Sequence, residues 1–116
     1  MTYRINGVAL TLQPEEGAWK DRNILNLDGN GHPLYPAPRQ FEMKWGLMSI
    51  AEFDQIYTFF LSQGVTGTSV VDLPRWHSVI YEDFSYTGCI LQEPTIDKYN
   101  NTYMDGVRLV VTNIRT

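Results

Sequence analysis

The chain has 116 residues, 43% of them hydrophobic and 19% charged, and a net charge of −4. That length holds one domain around a single core, and that composition excludes global disorder. The acidic balance gives no electrostatic basis for gripping nucleic acid or anionic lipid. Cys89 is the only cysteine, so an intrachain disulfide is excluded. No basic region leads into an apolar run at the N-terminus, and no stretch approaches about eighteen apolar residues. The expectation is a protein with no signal peptide and no membrane span, folded in a reducing cytoplasm.

The first segment, "MTYRINGVALTL", predicts a hairpin. Asn6-Gly7 suits the positive φ angles of a tight primed turn, and Val8, Leu10 and Leu12 alternate with Ala9 and Thr11. Residues 13–38 are the least regular part. They hold Pro14, Pro33, Pro36 and Pro38, four of the chain's six prolines, and the turn-rich run "NLDGNGHPLYPAP". A long regular element is not expected there. A short strand over "NILNL" (23–27), running up to a turn at Asp28–Gly31, is. The segment also carries Trp19, Ile24, Leu25, Leu27, Leu34 and Tyr35, too many apolar groups for a solvated linker. Long loops of this kind are usually functional or disordered. Residues 13–38 are therefore expected to form an arm buried against something, with another subunit as the candidate.

"RQFEMKWGLM" (39–48) alternates, with Phe41, Met43 and Trp45 on one face and Glu42 and Lys44 on the other. Next comes "MSIAEFDQIYTFFLSQG". Ser49 and Glu52 form a capping box, and Gly64 is a C-terminal stop, so a helix is predicted over 49–63. Its expected apolar stripe is Ile50, Phe53, Ile56, Tyr57, Phe60 and Leu61. Phe59 lies off that stripe, and its burial is expected to come from another subunit. The segments 66–73, 77–84, 85–92 and 104–114 read as strands rich in Val, Ile, Tyr and Thr. "LPRWH" and "EPTIDKYNNTY" connect them.

Catalytic and metal-binding patterns are poor. His32 and His77 have no second His or Cys at ligand spacing, and a zinc site needs three or four such groups. Cys89 in an apolar strand reads as a small buried hydrophobe rather than as a nucleophile for His77. The run from Asp28 starts like a calcium loop, but its required glycine is Pro33 and its twelfth position is Arg39. No phosphate-binding GxxxxGK loop or GxSxG elbow is present. Glu15/Glu16 and Glu82/Asp83 read as solvated turn carboxylates. Trp76, between Arg75 and His77, reads equally as a cover for a core edge or as an interface residue. No catalytic, cofactor or metal residue is expected.

From residue 39 onward the order of elements resembles a known family. A strand "QFEMKWGLMS" runs into the capped helix "SIAEFDQIYTFFLSQG". "TGTSVVDLP" follows, then a hairpin through "YEDFSYTGCILQEP" and a last strand "GVRLVVTNI". This is similar to the small virion proteins of tailed bacteriophages with the tail-tube-like fold, found in tube, distal-tail and completion proteins. The likeness covers about two-thirds of the chain and lies in pattern rather than in a diagnostic motif. It implies a mainly β fold with one α-helix, a β-sandwich or split barrel flanked by that helix, in one domain over 1–116. It implies no catalysis and no cofactor. It implies a homo-oligomer, as a hexameric ring or a trimeric one with doubled domains, in contact with neighbouring tail proteins. DNA would pass through the ring without specific binding, and the subunit would assemble in the host cytoplasm and reside in the virion tail. Residues 13–38 match by position and length the loop that reaches a neighbour in such proteins. The interface candidates are Trp19, Ile24, Leu25, Leu27, Leu34, Tyr35, Phe59 and Trp76. Two other classes stay open: a carbohydrate-binding or host-adhesion module stacking on Trp19 and Trp76, and a small regulatory protein docking through a sheet edge.

Overall fold

The computed structural model describes residues 2–80 and 82–116. In chain order its elements are β1 (Arg4–Ile5), β2 (Val8–Ala9), β3 (Glu16–Lys20), β4 (Asn26–Leu27), β5 (Pro33–Leu34), β6 (Arg39–Ser49), α1 (Ile50–Gln63), β7 (Ser69–Pro74), β8 (Asp83–Leu91), β9 (Lys98–Tyr99) and β10 (Tyr103–Ile114). The fold is mainly β with a single helix. The strands form a multi-stranded antiparallel sheet that is not closed into a barrel, consistent with a β-sandwich plus one helix.

The spine is the pairing of β6 with β10. Trp45 faces Val107, Met43 faces Leu109 and Phe41 faces Val111, and all six are buried. The alternation in both strands puts these residues on one face, as the period of two requires. From this pair the sheet runs through β3 on one side and β8 on the other, and continues to β7, β1 and β2. The β1–β2 turn has Asn6 at φ 53° and Gly7 at φ 80°, the expected primed-turn geometry.

β8 belongs to both halves of the sheet. Its first part pairs with β7 and its last residues pair with β10. A register slip in its pairing with β7 marks a bulge, with Gly88 at φ 70°. β10 slips beside it, with Asn113 at φ 58°. Asn113 Nδ2 donates to the Gly88 carbonyl at 2.9 Å, tying the two bulges together. Bulges bend and twist strands, and here they let the β7–β1 half fold over the inner face of β6 and β10. Contacts across the fold close it. Tyr3 meets Phe41 with ring centroids 6.0 Å apart, and Trp45 Nε1 donates to the Leu12 carbonyl at 2.9 Å.

The 77–84 and 85–92 segments are not two strands of a hairpin. Residues 83–91 are one bulged strand, and the hairpin lies one step earlier, between β7 and β8. Arg75 N donates to the Glu82 carbonyl at 2.9 Å to close that loop. His77 takes φ 56° and Ser78 Oγ accepts from Ile80 N, which is local turn chemistry rather than ladder pairing. Tyr81, inside the expected 77–84 strand, lies outside the described residues.

α1 starts and stops where its caps dictate. Ser49 Oγ accepts from Glu52 N while Glu52 Oε1 accepts from Ser49 N, and Gly64 follows the last turn at φ 69°. The stripe is rotated from the expected one. Ile56 is buried, and Phe53, Phe59 and Phe60 pack on the core, whereas Ile50 and Leu61 are exposed. Phe59 is thus half-buried by its own domain. The helix is also held by polar clamps. Thr11 N donates to Gln55 Oε1 at 2.8 Å, and Leu91 N donates to Gln63 Oε1 at 2.8 Å. Ile56→Ala should therefore cost about 2–5 kcal/mol in denaturant unfolding. Leu61→Ala should change stability by no more than about 0.5 kcal/mol. Equal losses at the two positions would contradict this orientation.

Candidate functional site

The feature that the core does not require is the arm between β3 and β6. It is shorter than residues 13–38, because Glu16–Lys20 joins the sheet as an edge strand against β6, with Trp19 opposite Phe41. Gly17 shares the inner face with Trp19. A Cβ there would collide with the Tyr3 hydroxyl and the Phe41 ring, so this strand reads "EGAWK" rather than as an alternating apolar run.

Trp19 is consequently part of the domain and not of the arm. Its ring is half-buried and meets Phe41, Trp76 and Tyr86 edge-on, at 5.2, 5.6 and 5.6 Å between centroids. Its Nε1 donates to the Pro74 carbonyl at 3.1 Å. Trp76 is half-buried on the other side of this cluster. Its backbone N–H donates to the Tyr86 hydroxyl at 2.9 Å, and the Arg39 guanidinium lies 3.9 Å from its ring centre.

The arm proper is a small hairpin of β4 and β5, in a two-stranded sheet separate from the main one. Leu25 N donates to the Leu34 carbonyl at 2.7 Å, and Arg22 Nη1 closes the base on the Pro36 carbonyl at 2.7 Å. Its tip is organised by Asp28. One carboxylate oxygen accepts from Asn30 N at 2.8 Å and from His32 N at 2.9 Å. These hydrogen bonds, those from His32 and Asn30 foremost, hold the Asp28 carboxyl below its ordinary pKa.

The apolar side chains of the arm are in solvent. Ile24, Leu25, Leu27, Leu34 and Tyr35 are between 46% and 69% exposed. Tyr35 also lies under Arg22, whose guanidinium carbon is 5.3 Å from the ring centre. A second apolar tip, Val79 and Ile80, sits on the β7–β8 loop and is also exposed. Val79 and Ile80 were not among the sequence candidates. Two apolar residues following His-Ser in a turn were the available signal. The molecule measures 56 × 29 × 28 Å along its principal axes.

Groups with chemistry are dispersed. Cys89 is fully buried, and burial pushes its thiol up to about 11, far from a thiolate. His77 is exposed in its loop, and His32 Nδ1 lies 3.5 Å from Asp28 Oδ2 at the arm tip. Among the described residues no three His, Cys, Asp or Glu side chains are grouped to hold a metal ion, and no helix is long and apolar enough to cross a membrane. No family model matches the chain, and neither a curated protein nor a solved structure matches it.

The sign of the Asp28 shift sets a pH test. A carboxyl with a depressed folded pKa contributes order above its unfolded value and loses it as pH falls through the folded value. The Asn30 amide resonance should therefore titrate with a midpoint below the ordinary carboxylate value of about 4. Asp28→Asn should abolish that titration. A midpoint at or above the ordinary value would contradict the turn geometry.

Proposed function

We propose that the protein is a structural subunit of a bacteriophage tail, forming a ring around the DNA channel through contacts between subunits. The observation that carries this reading is the arm. Five large apolar side chains stand in solvent on a hairpin outside the domain's own core. A monomer gains nothing from that exposure, and large apolar side chains gathered in solvent on one small element mark an interaction site. The mainly β architecture with one helix agrees with the resemblance noted in the sequence. The exposed Val79 and Ile80 add a further apolar contact, as a subunit with several neighbours requires.

The carbohydrate-binding alternative draws less support. Stacking on a sugar needs an open aromatic face. The Trp19 ring is surrounded by Phe41, Trp76 and Tyr86, and Arg39 covers a face of Trp76. Docking through the β3 edge is also less favoured, because that edge carries Glu16 and Lys20, charges that resist added strands.

The test removes the arm and leaves β3 in place. Residues 23–35 are replaced by a short Gly-Ser linker between Arg22 and Pro36, whose side-chain-to-carbonyl hydrogen bond already brings them together. The variant should remain a folded monomer and fail to form rings, by sedimentation and electron microscopy, under conditions where the intact chain forms them. An intact chain that stays monomeric at all concentrations, or rings unaffected by the deletion, would sink the reading.

A further inference from the structure

α1 ends beside β8 and leaves an apolar groove between them. Its lining includes Phe60, Leu61, Gln63, Val65 and Ile90, and its volume is about 370 Å³. Gly64 stops the helix, and Val65 just beyond it stands fully in solvent, with Leu61 and Ile90 also exposed. Gln63 holds the groove in shape. Its Oε1 accepts from Leu91 N at 2.8 Å and from Ser69 Oγ at 3.2 Å, and its Nε2 donates to the Leu91 carbonyl at 3.2 Å. The last pair between β7 and β8 is Ser69 with Cys89, so this side-chain amide takes the place of a strand along the end of β8. A groove held this way needs little reordering when it is filled.

On the arm, Leu25 and Leu27 lie two residues apart in extended chain and so share a face, with Pro33 opposite Leu27. All three are exposed. Within one copy the two surfaces stay apart, since no arm residue lines the groove. They flank the β6–β10 pair on opposite sides. The arm springs from the β3–β6 edge, and the groove borders β8, on the far side of β10. We propose that the groove receives the arm of a second copy of this chain, with Leu25 and Leu27 as the anchors. The proposal rests on the reading of the arm as a subunit contact and names the surface that takes it. Each copy then offers its arm to one neighbour and its groove to another, the head-to-tail contact that closes into a ring.

The areas suffice. Leu25, Leu27 and Pro33 on the arm and Leu61, Val65 and Ile90 in the groove, at roughly 100 Å² each, bring about 600 Å² of apolar surface together. Interfaces are a little over half apolar, so the whole contact covers about 1,000 Å², where specific interfaces begin. Neither surface buries a charge, because residues 23–27 and the groove lining carry none. The other apolar tip, Val79 and Ile80, offers less area to the groove. An anionic lipid surface would call for cations beside the groove, and the last turn of α1 has none.

The test mixes two variants of the purified chain, Asn26→Cys beside the anchors and Thr66→Cys beside the groove, both at exposed positions. Cys89 is buried, which leaves the introduced thiols to a short bismaleimide. The assembled mixture should give covalent pairs joining residue 26 of one copy to residue 66 of another, identified by mass spectrometry. Val65→Asp should melt within about 5 °C of the parent, since the side chain lies outside the core. It should also weaken assembly about tenfold or more, by placing a charge in the groove. Rings formed normally by Val65→Asp, or rings without the 26–66 cross-link, overturn this proposal and leave the ring reading standing. Cross-linked pairs that never grow beyond a dimer support this contact and overturn the ring. An intact chain that stays monomeric overturns both.

Discussion

The pairing of β6 with β10 is the constraint on which the rest of the molecule depends. It brings residues 41–45 and 107–111 together across a long stretch of sequence and sets one inner face of Phe41, Met43, Trp45, Val107, Leu109 and Val111. A slip of one residue would turn the three on one strand to the opposite face from the three on the other. Everything else is laid on that face or hung from its ends. β3 pairs along β6 and delivers Trp19 to Phe41. β8 reaches β10 only after the bulge at Gly88, where Asn113 of β10 ties the bend. α1 leaves directly from the end of β6, with Ser49 serving as last strand residue and helix cap. The arm leaves and re-enters between β3 and β6, so its base is fixed by the same pairing.

Features with local causes were legible in the sequence. Asn6-Gly7 made its hairpin turn, Ser49 and Glu52 made their capping box, and the alternation of β6 matched its burial. The misread features have non-local causes. The phase of α1 was ambiguous because apolar residues at positions 50, 53, 56, 57, 59, 60 and 61 spread over an arc of about 200°, wider than one buried stripe needs. Contact with the sheet selected Ile56 and Phe59 over Ile50 and Leu61. "EGAWK" hid a strand because Gly17 and Ala18 carry no strand signal, and Gly17 is needed only because Tyr3 and Phe41 come close. The segments 77–84 and 85–92 were read as the two strands of a hairpin, whereas Gly88 takes its positive φ in a bulge inside one strand. The cleft at the base of the arm was illegible because Arg22, Arg39 and Trp76 meet only after the sheet has folded.

The molecule thus divides into a domain that satisfies itself and surfaces that do not. Inside, the Trp rings and the helix clamps have partners. At the arm and the β7–β8 loop, apolar side chains face water, and beneath the arm Arg39 Nε is buried with no hydrogen-bond partner among the described residues. Both lie around one hairpin. On the tail-subunit reading proposed above, the apolar side chains would supply the area of a subunit contact.

The central claim is that the arm is not part of the domain's own core and becomes ordered against a neighbour. Amide hydrogen exchange of the intact chain, measured in the monomer and again in the assembled state, tests it most directly. Residues 107–113 should be strongly protected in both states, since they sit in the β6–β10 ladder. Residues 23–35 should exchange orders of magnitude faster in the monomer and approach the protection of that ladder only on assembly. Protection of 23–35 equal to that of 107–113 in the monomer, or no gain on assembly, would contradict the account.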